Sequence, residues 1–162
     1  MWTDQRGSEI LPLAECVRLL AMAAQRGLTG RLAVSTDQAP IIQPVNFTYH
    51  HHQVVLRLGP GHLADVIPGT LVAFEVDHVD RDAHDAWSVL VRGLATALED
   101  SGPESGAEPA PIPLVPAPGD VLFLVRLDVV TGRRFPLEKA NGSPGRAVPY
   151  LSPASSAPAP GN

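Results

Sequence analysis

Leu13, Cys16, Val17, Leu20, Ala21 and Ala24 recur at i, i+3, i+4, i+7, i+8 and i+11, which lays one apolar stripe along an amphipathic helix. Pro12 suits its first turn and Gly27 its C-terminal cap. After Gly27 the apolar period shortens from about 3.6 residues to about 2. Strands are expected over 30–36 (GRLAVST), 40–49 (PIIQPVNFTY), 53–58 (QVVLRL), 71–79 (LVAFEVDHV), 87–98 (WSVLVRGLATAL) and 121–130 (VLFLVRLDVV). Asp37–Gln38 and His50–His52 read as turns, and 61–68 is long enough for one or two helical turns. Pro44 inside the second strand marks an edge or a bulge. Short connections favour antiparallel neighbours, and six strands around one core with few helices favour a mainly β, small closed barrel.

Two strands are apolar on both faces. Val89 and Val91 point one way while Leu90, Leu94 and Leu98 point the other; Val121, Phe123 and Val125 oppose Leu122 and Leu124. A lone barrel buries only one such face, so the second is expected to meet the helix or a second copy of the chain, giving a homodimer. Residues 101–119 hold 6 Pro and 3 Gly, and residues 142–162 hold 5 Pro and 3 Gly, too many for a helix or an interior strand. The expected organisation is one domain over 8–136 with a surface loop at 101–119, followed by a flexible tail over 137–162.

Charge narrows the function. Twelve Lys and Arg against seventeen Asp and Glu give a net charge of -5, which argues against a general nucleic-acid partner. No window approaches a membrane span, and no basic stretch precedes an apolar run at the N-terminus, so a cytoplasmic protein is expected. The single cysteine, Cys16, lies on the helical stripe and reads as a small core hydrophobe. Ser, His and Asp occur, but no Gly-rich phosphate loop, G-x-S-x-G elbow or Cys-x-x-Cys pair accompanies them. Of His50, His51 and His52, alternation lets only the first and third converge, short of the three ligands a catalytic zinc needs, so no metal is expected. The acidic stretch 80–85 lacks the glycine and terminal glutamate of a calcium loop.

The order helix, GRLAV, PVNF, a strand carrying Arg57, a short helix, FEVD, WSVLVRG and VTGRR resembles the pyridoxamine 5'-phosphate oxidase-like proteins, the flavin-binding split barrels of actinobacterial type. The segments 44–47, 87–93 and 130–134 carry the likeness, which spans about residues 9–136. The resemblance implies a six-stranded antiparallel split barrel with an N-terminal helix and a short helix between strands three and four. It implies a homodimer holding FMN in two clefts between subunits, with a deazaflavin as the second candidate cofactor. The flavin ring would rest near Val45, Asn46 and Phe47; Arg57, Leu58, Gly61 and His62 would hold the phosphate; Trp87 and Ser88 would come from the partner subunit.

Beside that resemblance each residue has its own reading. Arg57 alternates with Leu56 and Leu58 and points away from them; Asn46 faces opposite Val45 and Phe47 and needs polar partners, from a flavin edge or a neighbouring strand. Trp87 suits ring stacking or plain core packing, and Ser88 a hydrogen bond. The family pattern has a hydroxyl after the arginine and a lysine at the short helix, where this chain has Leu58 and His62, and a Trp where it has Pro116. A weakened phosphate grip and a missing lid are expected, with backbone N–H groups at Gly61–Leu63 as the compensating donors. The expected function is a flavin-dependent oxidoreductase acting on a small molecule, nitroaromatic and quinone-like compounds included, with no catalytic side chain required. The absence of a second basic cluster speaks against pyridoxamine phosphate as substrate. The alternative is a split-barrel binding or sensing module that has lost flavin chemistry.

Overall fold

The computed structural model describes residues 2–3, 8–37, 39–98 and 119–137. Most of the Pro/Gly-rich loop, Pro116 included, and the tail beyond Leu137 lie outside them. In chain order the elements are β1 (Trp2–Thr3), β2 (Glu9–Ile10), α1 (Leu13–Gln25), β3 (Gly30–Val34), β4 (Ile41–His50), β5 (Gln53–Leu58), α2 (His62–Val66), β6 (Leu71–Asp80), β7 (Asp85–Leu98), β8 (Val121–Arg126) and β9 (Val129–Pro136). Among the described residues no helix is long and apolar enough to cross a membrane.

All strand pairs are antiparallel, and six strands close on themselves in the ring β3–β4–β5–β8–β7–β6. The protein is thus mainly β, a six-stranded antiparallel split barrel with an N-terminal helix and a short helix between its third and fourth barrel strands. Two strands change partners midway and make the corners. β4 pairs with β3 over Ile41–Val45 and with β5 over Asn46–His50. β7 pairs with β9 over Asp85–Arg92 and with β8 over Ala95–Leu98. Pro44 falls in the half of β4 that has β3 as its partner but not β5, so its missing N–H interrupts no ladder on that side, as expected of an edge.

The expected sixth strand over 121–130 is corrected by the structure. It breaks at Leu127–Asp128, and its continuation, β9, runs to Pro136 outside the ring. Gly93 and Leu94 of β7 face the three residues Arg126–Asp128, a one-residue bulge. Asp128 Oδ2 holds the bulge by accepting from the Leu94 N–H at 3.3 Å and from Arg126 Nη2 at 3.1 Å. Gly93 makes it possible, because a Cβ there would sit 1.8 Å from the Arg126 carbonyl oxygen.

The core fills the ring and the space under α1. Leu32, Val54, Leu56, Phe74, Val76, Val89, Val91, Phe123 and Val125 are fully buried, and Phe47 meets Phe74 edge-on with centroids 4.8 Å apart. α1 buries Cys16, Leu19, Leu20 and Ala23 against β4, β7 and β9. This rotates the expected stripe: Leu13 is 61% exposed, while Leu19 and Ala23 replace Val17 and Ala24 at its centre. The groove that receives the helix sets the rotation. At Gly132 of β9 a Cβ would lie 2.6 Å from Cys16 Sγ, so the bare glycine admits the helix at Cys16. Burial pushes the Cys16 thiol pKa up and keeps it protonated, as a core hydrophobe. At the other edge of α1, Arg134 donates to Glu15 at 3.1 Å and ties β9 to the helix.

Candidate functional site

β5 alternates along its whole length between the core and the outer face of the barrel, and β4 does so over Val45–Thr48. Val45 and Phe47 point inward and are buried, as are Val54, Leu56 and Leu58. Asn46, Thr48 and His50 point outward on β4, and Gln53, Val55 and Arg57 on β5, each half-buried. Asn46 and Arg57 are directly opposite one another across the ladder, at the corner where β4 leaves β3. Thr48, two residues along the same outward row, buries its hydroxyl without a hydrogen-bond partner. An orphaned buried hydroxyl costs about 1–3 kcal/mol, and this one lies two residues along the row from the Asn46–Arg57 pair.

The chain then turns through Gly59–Pro60–Gly61 into α2. Leu58 keeps its side chain in the core, so only its backbone can serve this outer face. Gly61 and His62 are exposed. Gly61 carries no side chain to cap α2, which has only five residues. Asp120 comes in from the far end of the barrel: Leu58 pairs with Val121, and Asp120 is the next residue out. Its Oδ2 lies 3.9 Å from Arg57 Nη1, with side-chain exposures of 27% for Arg57 and 8% for Asp120. Its Oδ1 lies 3.5 Å from where a Cβ on Gly59 would be. A nearly buried carboxylate therefore stands between the guanidinium and the glycine loop.

Trp87 and Ser88 lie on the half of β7 that borders β6 and β9, away from the β4–β5 row. Trp87 is 4% exposed, packed inward with its ring 6.1 Å from that of His78. Ser88 points outward in a row between Asp77 and Arg133. Next to that row Arg31 bridges Glu75, at 3.0 Å, and Asp77. Burial nevertheless raises the Glu75 pKa, against the pull of Arg31. Around this charged patch Leu71, Val79, Leu90, Val129 and Phe135 remain exposed on the same outer face. One chain thus sets Asn46 opposite Arg57 at one corner, follows them with Leu58 turned into the core and with the exposed Gly61 and His62 at the start of α2, and holds Ser88 on another face.

The histidine run forms the β4–β5 hairpin. His51 and His52 adopt φ of 44° and 62°, the left-handed pair of a two-residue I′ turn, and both are exposed. Among the described residues no group of three or more His, Cys, Asp or Glu could hold a metal ion. Two residues of the corner escape a reading from sequence. Thr48 is within reach of the Asn46 alternation, one step further along the row. Asp120 is not, since it meets Arg57 only through the β5–β8 ladder.

The profile of the pyridoxamine 5'-phosphate oxidase family matches residues 12–134. The chain is 29% identical over 141 residues to the uncharacterised protein Rv0080 of Mycobacterium tuberculosis, covering 82% of this chain and 90% of that protein. Among solved structures it resembles an FAD-binding protein from Mycobacterium smegmatis, with TM-score 0.60, 29% identity, and 79% and 98% of the two chains covered. It also resembles a candidate pyridoxamine 5'-phosphate oxidase from Corynebacterium glutamicum, with TM-score 0.65, 25% identity, and 82% and 96% covered.

Proposed function

Because the chain belongs to the pyridoxamine 5'-phosphate oxidase family, we propose that it holds a flavin, FMN first and a deazaflavin second, and acts as an oxidoreductase on a small molecule. The FAD-binding relative from M. smegmatis supports a flavin in this fold. The observation that carries the reading is the outward row at the β4–β5 corner. Arg57 faces Asn46, and the Thr48 hydroxyl is buried and unsatisfied beside them. A flavin edge carries both donors and acceptors, so Asn46 and Thr48 suit it, and a guanidinium suits an anionic tail. Gly59 and Gly61 let the backbone approach closely.

When bound, the flavin supplies the electron and hydride chemistry, and the protein supplies position and polarity. Asn46 and Thr48 orient the ring by hydrogen bonds. Arg57 holds the tail. Val45, Phe47 and Leu58 act from beneath, packing in the core and fixing the two strands at one register, so their part is rigidity and backbone donors. We place the second wall of the cleft on another copy of this chain. The exposed Leu71, Leu90, Val129 and Phe135 around the Arg31–Glu75–Asp77 patch supply the apolar area such a dimer would cover. From that copy Ser88 would reach the ligand by its side chain and Trp87 by its backbone.

The test is the absorbance spectrum of the purified protein. Flavin bands as isolated, or after titration with FMN, support the reading. A protein that stays colourless throughout refutes it in favour of a binding module without redox chemistry. Arg57→Ala should weaken FMN binding by about 1.5–3 kcal/mol, the worth of a charged hydrogen bond to an anion; an unchanged Kd removes Arg57 from the site.

A further inference from the structure

We propose that Asp120 is a specificity residue: a built-in anion that occupies the phosphate position beside Arg57 and makes this pocket nearly indifferent to whether a flavin's tail is phosphorylated. The proposal rests on the flavin reading above for the identity of the ligand, but its geometry belongs to the chain alone. The flavin reading gives the phosphate to Arg57, the 59–61 loop and His62. Asp120 stands beside the first two, with one carboxylate oxygen 3.9 Å from the guanidinium and the other over the bare face of Gly59.

The carboxylate is not a mobile surface group that an incoming anion would push aside. It is 92% buried by side chain, the complement of its 8% exposure. The Leu58–Val121 pair fixes its backbone one residue beyond the end of the ladder. Gly119, immediately before Asp120, takes a φ of +85°, a conformation that favours glycine.

The electrostatics follow from the count of charges. Arg57 and Asp120 cancel, and α2, which follows in the chain, carries both His62 and the anionic Asp65. An FMN phosphate, carrying close to two negative charges, meets a site with almost no net positive charge. A ribityl tail ending in a hydroxyl pays no such penalty and can donate to the same carboxylate. A like charge within about 5 Å in a partly buried setting costs a factor of ten or more in affinity.

The experiment compares FMN with riboflavin by fluorescence titration on the wild-type chain and on Asp120→Asn, which keeps the shape and removes the charge. The wild-type chain should bind the two within about threefold. Asp120→Asn should tighten FMN about tenfold and leave riboflavin within about twofold, and adding Arg57→Ala should abolish the gain. An unchanged FMN-to-riboflavin ratio in Asp120→Asn overturns the proposal. So does a wild-type preference for FMN of about a hundredfold, which decides the matter even if the variant fails to fold. If neither protein binds either flavin, the flavin reading falls by itself. Thermal melts in inorganic phosphate then judge Asp120: stabilisation of Asp120→Asn but not of the wild type sustains its role, and equal responses overturn it.

Discussion

A methyl group at position 93 would test the architecture at its tightest point. Gly93→Ala puts a Cβ 1.8 Å from the Arg126 carbonyl oxygen and 2.7 Å from its carbon, both backbone atoms that cannot rotate away. Moving from 1.8 Å to the 3.0 Å that real Cβ atoms respect demands a shift of more than 1 Å between β7 and the bulge. The four β7–β8 pairs from Ala95↔Val125 to Leu98↔Leu122 begin two residues away, and the Leu94 N–H to Asp128 bond lies beside the clash. Losing two or three of these bonds at about 1 kcal/mol each, plus loosened packing of Ala95 and Val125, sums to about 3–5 kcal/mol. That is a large share of the roughly 5–15 kcal/mol that holds a domain folded, and corresponds to a drop in Tm on the order of 20 °C. Thermal unfolding by circular dichroism reads it. Gly59→Ala is the control, since its Cβ would meet nothing closer than 3.5 Å and its effect should stay within about 1 kcal/mol. If Gly93→Ala melts within about 3 °C of the wild type, the bulge is not the close crossing described here.

Gly132→Ala should destabilise by about 2–3 kcal/mol through its clash with Cys16 Sγ, and Cys16→Ala should return part of that loss; additive effects in the double mutant would contradict the contact. The paired hydrogen bonds from Arg18, with that from Arg134, hold the Glu15 carboxyl down at about 2 from its ordinary 4.5. Because the folded value is the lower one, its contribution is whole above about pH 4.5 and is lost as the pH falls towards 2. Discounted for solvent screening, Glu15→Gln should cost about 1 kcal/mol at pH 7 and nothing near pH 2, measured by urea melts at both. Leu90→Lys, on the exposed outer face, should leave the fold intact within about 0.5 kcal/mol yet turn a dimer into a monomer in sedimentation; an unchanged assembly would move the interface elsewhere.

The barrel was legible because its strands alternate. β5 shows it most plainly, with Val54, Leu56 and Leu58 at a period of two, while β7 and β8 read as short continuous apolar runs; the hairpin at His51–His52 and the edge at Pro44 have local causes. Less legible were features decided by distant residues. β9 follows so closely on β8 that Val121–Val130 reads as one strand, and only the crossing at Gly93 separates them. The helix stripe turned because Gly132, more than a hundred residues on, opens a slot for Cys16. At the corner, the outward positions of Asn46 and Arg57 followed from alternation, but their meeting required the register of β4 on β5. Asp120 carries no mark of its role, sitting at the end of a Pro/Gly-rich segment, while a Trp at the start of a strand suits stacking and packing equally, and only the burial of Trp87 separates the two.

The ring of strands is sealed by a pairing between the middle of the chain and a late segment, Leu58 with Val121. On a ribosome, β5 and the far half of β7 therefore wait with exposed edges until the segment from Val121 onward has emerged. Such long-range closure is slow, and an open edge during the wait invites association with other nascent chains. Chains halted before Val121 should for that reason be found in aggregates or held by chaperones rather than as stable half-barrels.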